Sequence, residues 1–150
     1  MVENKDFKVR ISKAEDVSLL VDNLRQDDVD ELTAGGSTPL VSLMHGYLFS
    51  DECYSAFVND QIIGMFGVCY NTNSIWFLGS DLSASVKREW IRTASYYIRH
   101  FLEIKPVLTN TVSTNNKVHI KWLKRMGAKF SAPYEYNNHL FQDFYIIKGE

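Results

Sequence analysis

The chain has 150 residues, 45% of them hydrophobic and 13% aromatic, and a formal charge of −2. That is one domain's length, 1–150, with enough apolar material for a sizeable core, which excludes a disordered chain. The Lys and Arg residues are scattered rather than striped, and no apolar run approaches a membrane span, so neither nucleic acid nor membrane is an expected partner.

"MVENKDFKVR" lacks the apolar stretch of a secretory signal, so the expected setting is a cytoplasm rather than a secreted one. "FKVRI" (7–11) alternates Phe7, Val9 and Ile11 with Lys8 and Arg10, the pattern of a half-buried strand. Ser12 is the expected cap of a first helix, with Glu15 completing a capping box and Val17, Leu20, Val21 and Leu24 forming the apolar stripe. The acidic "RQDDVDE" (25–31) reads as a solvated helix end or loop, and "AGGSTP" (34–39) as a break. Leu40, Leu43, Met44, Tyr47 and Leu48 then mark a second amphipathic helix.

"CYSAFV", "QIIGMFGVCY" and "SIWFLGS" follow as a strand meander punctuated by "ND" and "NTN". A two-residue turn at "ND" sets Val58 against Gln61 and therefore Cys53 against Phe66. Cys69 then has the opposite parity, so no disulfide is expected, and no His/Cys spacing suggests a metal. Residues 83–103 make the longest helix, with Val86, Trp90, Ile91, Ala94, Tyr97, Ile98 and Phe101 on one face, Ser83 as cap and Pro106 as stop. "VLTNTV" (107–112) is a strand. In "TNNKVHIKWLKRMGAKF", Asn115 or Asn116 caps a last helix, Gly127 closes it in the left-handed region, and "AKF" runs back as a strand. "YEYNNHLF" (134–141) reads as an exposed connection before the final strand "FQDFYIIK" (141–148). The expected order is β-α-α-β-β-β-α-β-α-β-β, an α/β (α+β) fold with a mixed sheet of about seven strands and four helices.

With these residues in that order, the chain resembles the GNAT (GCN5-related N-acetyltransferase) superfamily. "VRISKAED" is similar to its first strand and helix start, "FVNDQIIGMFGV" to its second hairpin with Gly64, and "NKVHIKWLKRMGAKF" to its late helix motif. Within that superfamily, "WFLGSD", "NNKVHIKWLKRMGAKF" and "FQDFYIIKG" resemble a family of small GNAT-like internal virion or core-assembly proteins of short-tailed bacteriophages.

The resemblance implies a fold in which the fourth and fifth strands splay apart and acetyl-CoA lies in the gap. Its pantetheine would run along Leu78 and Gly79 and meet Asn116, and its pyrophosphate would sit near Ser83, Ser85, Lys87 and Arg88 at a helix N-terminus. The chain departs from the superfamily pattern in three places. "GSDLSASVKRE" stands where active members carry two closely spaced glycines; Leu123 stands at the position of the Tyr that protonates the departing thiolate; and no acid lies inside the fourth or fifth strand. His45 and Asp81 are the candidate catalytic groups left, with Glu52 and Tyr70 behind them. His119 is expected to face solvent or the sheet edge. Two readings follow. One is an acetyl-CoA-dependent N-acetyltransferase with an amine acceptor; the other is a non-catalytic phage assembly protein with virion proteins as partners, found in the infected host's cytoplasm or the virion.

Overall fold

The computed structural model describes residues 6–150. Its elements are β1 (Phe7–Ile11), α1 (Ala14–Val21), α2 (Gln26–Ala34), α3 (Pro39–Phe49), β2 (Glu52–Val58), β3 (Gln61–Cys69), β4 (Ser74–Gly79) and a 3-10 turn (Asp81–Val86). Then come α4 (Lys87–Ile104), β5 (Val107–Ser113), α5 (Lys117–Arg125), β6 (Lys129–Phe130), β7 (Tyr134–Tyr136) and β8 (His139–Ile147). Among the described residues there are thus eight strands and five helices, one more of each than expected. The added helix is α2, built from the acidic stretch expected to be solvated. The added strand is β7, from the stretch expected to be a plain connection; Asn137 and Asn138, at φ 54° and 63°, turn it into a hairpin with β8.

One sheet runs in the order β1-β2-β3-β4-β5-β8-β6, with β7 also on β8. Every pairing is antiparallel except β4 with β5. The β2–β3 hairpin turns on Asn59 and Asp60, and Val58 faces Gln61 as the spacing requires. A bulge between Ala56 and Phe57, with Ile63 the extra residue, then shifts the register, so Cys53 faces Gly67 instead of Phe66. Cys53 and Cys69 consequently share a parity, contrary to the simple alternation; both are free thiols.

Two apolar clusters cover the two faces of the sheet. Phe66, Val68, Trp90, Phe101, Leu108 and Trp122 belong to the larger one, under α4 and α5. Val17, Leu20, Leu43, Ile62, Met65 and Leu78 form the smaller, under α1 and α3. At roughly 25 cal/mol per Å² of apolar area buried, these layers are the main favourable contribution to folding.

The helix ends differ in detail from expectation. Ser12 is buried and bonds the Ser55 hydroxyl at 2.7 Å, so it does not cap α1. Asp16 accepts from the Lys13 amide at 2.8 Å instead, and its buried carboxyl also takes a two-pronged pair from Arg10 at 2.8 and 2.9 Å. The 83–103 helix starts later, at Lys87, after the 3-10 turn; Ser83 lies inside that turn. Asn116 sits at the start of α5, but its side chain makes no capping bond. Gly127, at φ 84°, closes α5 as the sequence requires, with Ala128 N–H on Leu123 C=O and Gly127 N–H on Lys124 C=O, both 3.0 Å.

Candidate functional site

The fourth and fifth strands part. β4 and β5 meet in register only at Ser74 and Thr109. Thr109 N–H donates to Asn73 C=O at 2.8 Å there, and the Asn110 amide donates to Ile75 C=O at 2.7 Å. Ser80 N–H donates across to Ile63 C=O, so strand alternation turns the main-chain groups of Ile75, Phe77 and Gly79 away from β3, toward β5. Those of Phe77 face the gap.

At the Gly79 end the chain closes the gap with its own residues. Leu24 forms a bridge with Ser80, and Arg25 N–H donates to Gly79 C=O at 2.8 Å. Gly79 N–H donates to Asp28 Oδ2 at 3.0 Å. Asp28 Oδ1 accepts from Arg25 Nη2 at 3.1 Å and from Asn116 Nδ2 at 3.0 Å, while Asn116 Oδ1 accepts from the same Arg25 nitrogen at 2.9 Å. Asp28 is 0%, Asn116 1% and Arg25 8% exposed, so this is a buried polar network. The Arg25 guanidinium lies over the Trp122 ring at 5.8 Å, and its Nε is buried without a hydrogen-bond partner.

Glu31 and His119 extend the network. Glu31 Oε1 accepts from Ser113 N–H at 2.7 Å and from Asn116 Nδ2 at 3.4 Å. Burial and then the neighbouring Asp28 push its carboxyl up to about 7, against the Ser113 N–H, Asn116 and Arg25. His119, expected at the surface, is instead packed beside Phe77 and Trp122 with its ring nitrogen 3.9 Å from Asp28. Burial pushes its pKa down, with Asp28 opposing and Arg25 assisting. Arg25, the residue before α2, and Asp28 and Glu31 within it recur at a spacing of three, with polar side chains turned inward. A search for apolar periodicity passes over such a pattern; the spacing of three was the only signal available.

The gap is therefore a one-sided cleft of about 650 Å³. It opens between α2–α3 and the β5–β8 pair, with Glu31, Trp76, Val112, Leu123 and Phe141 among its walls. On the α4–α5 side the Phe77 ring packs at 4.3 Å from Trp90 and 5.8 Å from Trp122 and narrows the gap to a small cavity of about 70 Å³.

The sequence-nominated residues spread over three places. Gly79 and Asn116 meet through Asp28, and Leu78 is buried in the cluster under α1 and α3. His45 is exposed on α3, its ring 4.8 Å from Phe49, at the cleft wall. Ser83 Oγ donates to Ser80 C=O at 2.9 Å and Ser85 Oγ to Leu82 C=O at 2.7 Å, both inside the 3-10 turn. Asp81, Lys87 and Arg88 are exposed around that turn and the first turn of α4. Glu52 and Tyr70 bond each other on the far side of β4's start, with Tyr54 at 2.6 Å and His100 at 3.0 Å from Glu52. Among the described residues no group of His, Cys, Asp or Glu is arranged to hold a metal, and no helix is long and apolar enough to cross a membrane.

Solved structures share this fold. A spermidine N-acetyltransferase chimera of Vibrio cholerae SpeG and hSSAT superposes with TM-score 0.64 at 12% identity, over 94% of this chain and 95% of its own. AAC(6')-Ib in complex with ribostamycin and coenzyme A gives 0.65 at 15%, over 95% and 93%. A Bacillus subtilis acetyltransferase in complex with CoA gives 0.59 at 11%, over 96% and 99%. At these identities the likeness shows the GNAT fold alone. In sequence, residues 55–136 match the family model described as bacteriophage T7, probable scaffold protein Gp13. The probable scaffold protein gp13 of Escherichia phage T7 is 30% identical over 126 residues, spanning 81% of this chain and 85% of that protein. The chain has the GNAT fold and belongs to the family of the bacteriophage T7 probable scaffold protein Gp13.

Proposed function

We propose that this protein is a non-catalytic bacteriophage assembly protein that retains the acyltransferase fold and works through virion-protein partners, in the infected cell or the virion. One observation carries the reading: the Asp28 carboxyl holds both the Gly79 N–H and the Asn116 amide, the two groups a pantetheine arm would need. The residues do not fit the cofactor in other ways. The packed rings of Phe77, Trp90 and Trp122 narrow its path to a cavity of about 70 Å³. The pyrophosphate position carries a 3-10 turn whose serine hydroxyls are spent on its own carbonyls, in place of a glycine-rich loop. The scaffold-protein relative supports the same reading.

The deciding experiment is thermal denaturation with millimolar CoA and acetyl-CoA. A ligand selective for the folded state at 100 times its Kd adds about 2.7 kcal/mol, several degrees for a chain this size. The expected result is no shift, together with co-purification of virion proteins from infected cells. A saturable rise in midpoint with CoA overturns the proposal. Glu31 favours the alternative of an N-acetyltransferase, because a cleft carboxyl titrating at about 7 suits a general base for an amine acceptor. On that alternative, CoA stabilises the fold and Glu31→Gln abolishes acetyl transfer.

A further inference from the structure

We propose that the β4–β5 cleft and the uncharged outer face of α3 form one docking groove, whose occupant is an extended segment of a partner virion protein with a lysine or arginine seated against Glu31. The proposal rests on the assembly reading above and names the chemistry of the partner.

Four observations carry it. First, α3 contains no Asp, Glu, Lys or Arg. Its exposed side includes Val41, Leu48 and Phe49, 60–65% accessible, and Val41 and Phe49 also line the cleft. Val41, His45, Leu48 and Phe49 fall on one stripe of a helix, so this largely apolar row and the cleft wall are continuous. Second, about 650 Å³ admits several side chains of a bound segment. Third, the Phe77 N–H and C=O are turned toward the gap and offer strand-type pairing to an extended backbone.

The fourth observation sets the charge. Arg25 and Asp28 form an ion pair at 3.1 Å and cancel each other. Burial keeps His119 from charging. Glu31 is left as the acid of the cleft that has no ion pair of its own, with only its Oε1 engaged, by Ser113 and Asn116; its carboxyl holds a proton up to about 7, and a cation seated against it would draw that proton off. A group that completes such a site is a cation on an otherwise apolar segment.

The test is selection of random 12-residue peptides displayed on beads against the full-length purified chain. Synthetic copies of the enriched sequences are then assayed by fluorescence anisotropy, with Trp76 in the cleft wall as a second reporter. The enriched peptides are expected to share apolar positions and one Lys or Arg at a fixed place. Glu31→Gln should weaken their binding at least tenfold, and Glu31→Lys should move the selection to Asp or Glu. Phe49→Glu, at an exposed site that leaves the core untouched, should weaken binding as well. No enrichment, enrichment without a basic residue, or binding indifferent to both Glu31→Gln and Phe49→Glu overturns the groove. A CoA arm separates this outcome from failure of the assembly reading. Peptides displaced by CoA sink that reading, whereas absence of both peptide and CoA binding removes the groove alone.

Discussion

Asp28→Ala is the most informative single change. Asp28 is fully buried and accepts three hydrogen bonds, from Gly79 N–H, Arg25 and Asn116. Removing it leaves a guanidinium 8% exposed whose Nε already lacks a partner. Breaking a buried ion pair on one side costs about 3–5 kcal/mol, and an orphaned buried amide costs about 1–3 kcal/mol more. Partial collapse and water entry recover some of that, so a loss of about 4 kcal/mol is expected from urea unfolding at pH 7. That is a large share of the roughly 5–15 kcal/mol typical of a domain and corresponds to a midpoint lower by about 8–16 °C. Asp28→Asn, which keeps the shape and one acceptor, should lose about half as much. A loss under about 1 kcal/mol for Asp28→Ala would refute the reasoning, since it would mean the network is wet or readily replaced.

Glu31, pushed up to about 7, takes up a proton on folding between its ordinary 4.5 and 7. Its contribution to stability is therefore complete below about pH 4.5 and is lost as pH rises through 7. Thermal midpoints measured from pH 5 to 8 should fall with pH, and Glu31→Gln should flatten that slope. Asp16 behaves oppositely. Burial raises its pKa, but hydrogen bonds from Arg10, the Lys13 amide and Ser55 outweigh it and hold the carboxyl below 3.8. Its contribution is present above 3.8 and lost as pH falls, so Asp16→Asn should blunt acid unfolding below pH 4 in circular dichroism titrations. Gly64→Ala would place a Cβ 2.6 Å from Leu78 C=O and from the Phe77 ring. Overpacking of that kind costs about 1–3 kcal/mol by urea unfolding, and a neutral result would show that β3 and β4 can separate there.

Local patterning carried most of the architecture. Strand alternation, the Asn-Asp turn and Gly127 each act over a few residues, and the structure keeps the turn and Gly127 outright and the alternation outside the bulge in β2–β3 and the exposed Ile11 at the end of β1. Prediction failed where a residue's partner is distant in sequence. A single bulge at Ala56/Phe57 reversed the parity of Cys53. Asn116 was expected to serve its own helix and instead bonds residues 85 to 91 positions away. The "RQDDVDE" stretch was expected in water because its side chains are charged, yet Arg25 and Asp28 are buried because Gly79 and Asn116, far along the chain, join their ion pair and satisfy it.

The order of strands and helices apart from α2 and β7, the resemblance to the GNAT superfamily and the loss of the glycine loop were readable in the amino-acid order. These depend on near-neighbour periodicity and on residue types at fixed spacing. Whether the strand gap is a passage or a one-sided cleft was decided only in three dimensions. That outcome rests on Arg25 and Asp28 crossing to Gly79 and Asn116, and on Phe77 packing against Trp90. Polar groups that satisfy one another across long stretches of chain leave no periodic trace, and only the folded backbone brings them within hydrogen-bond reach.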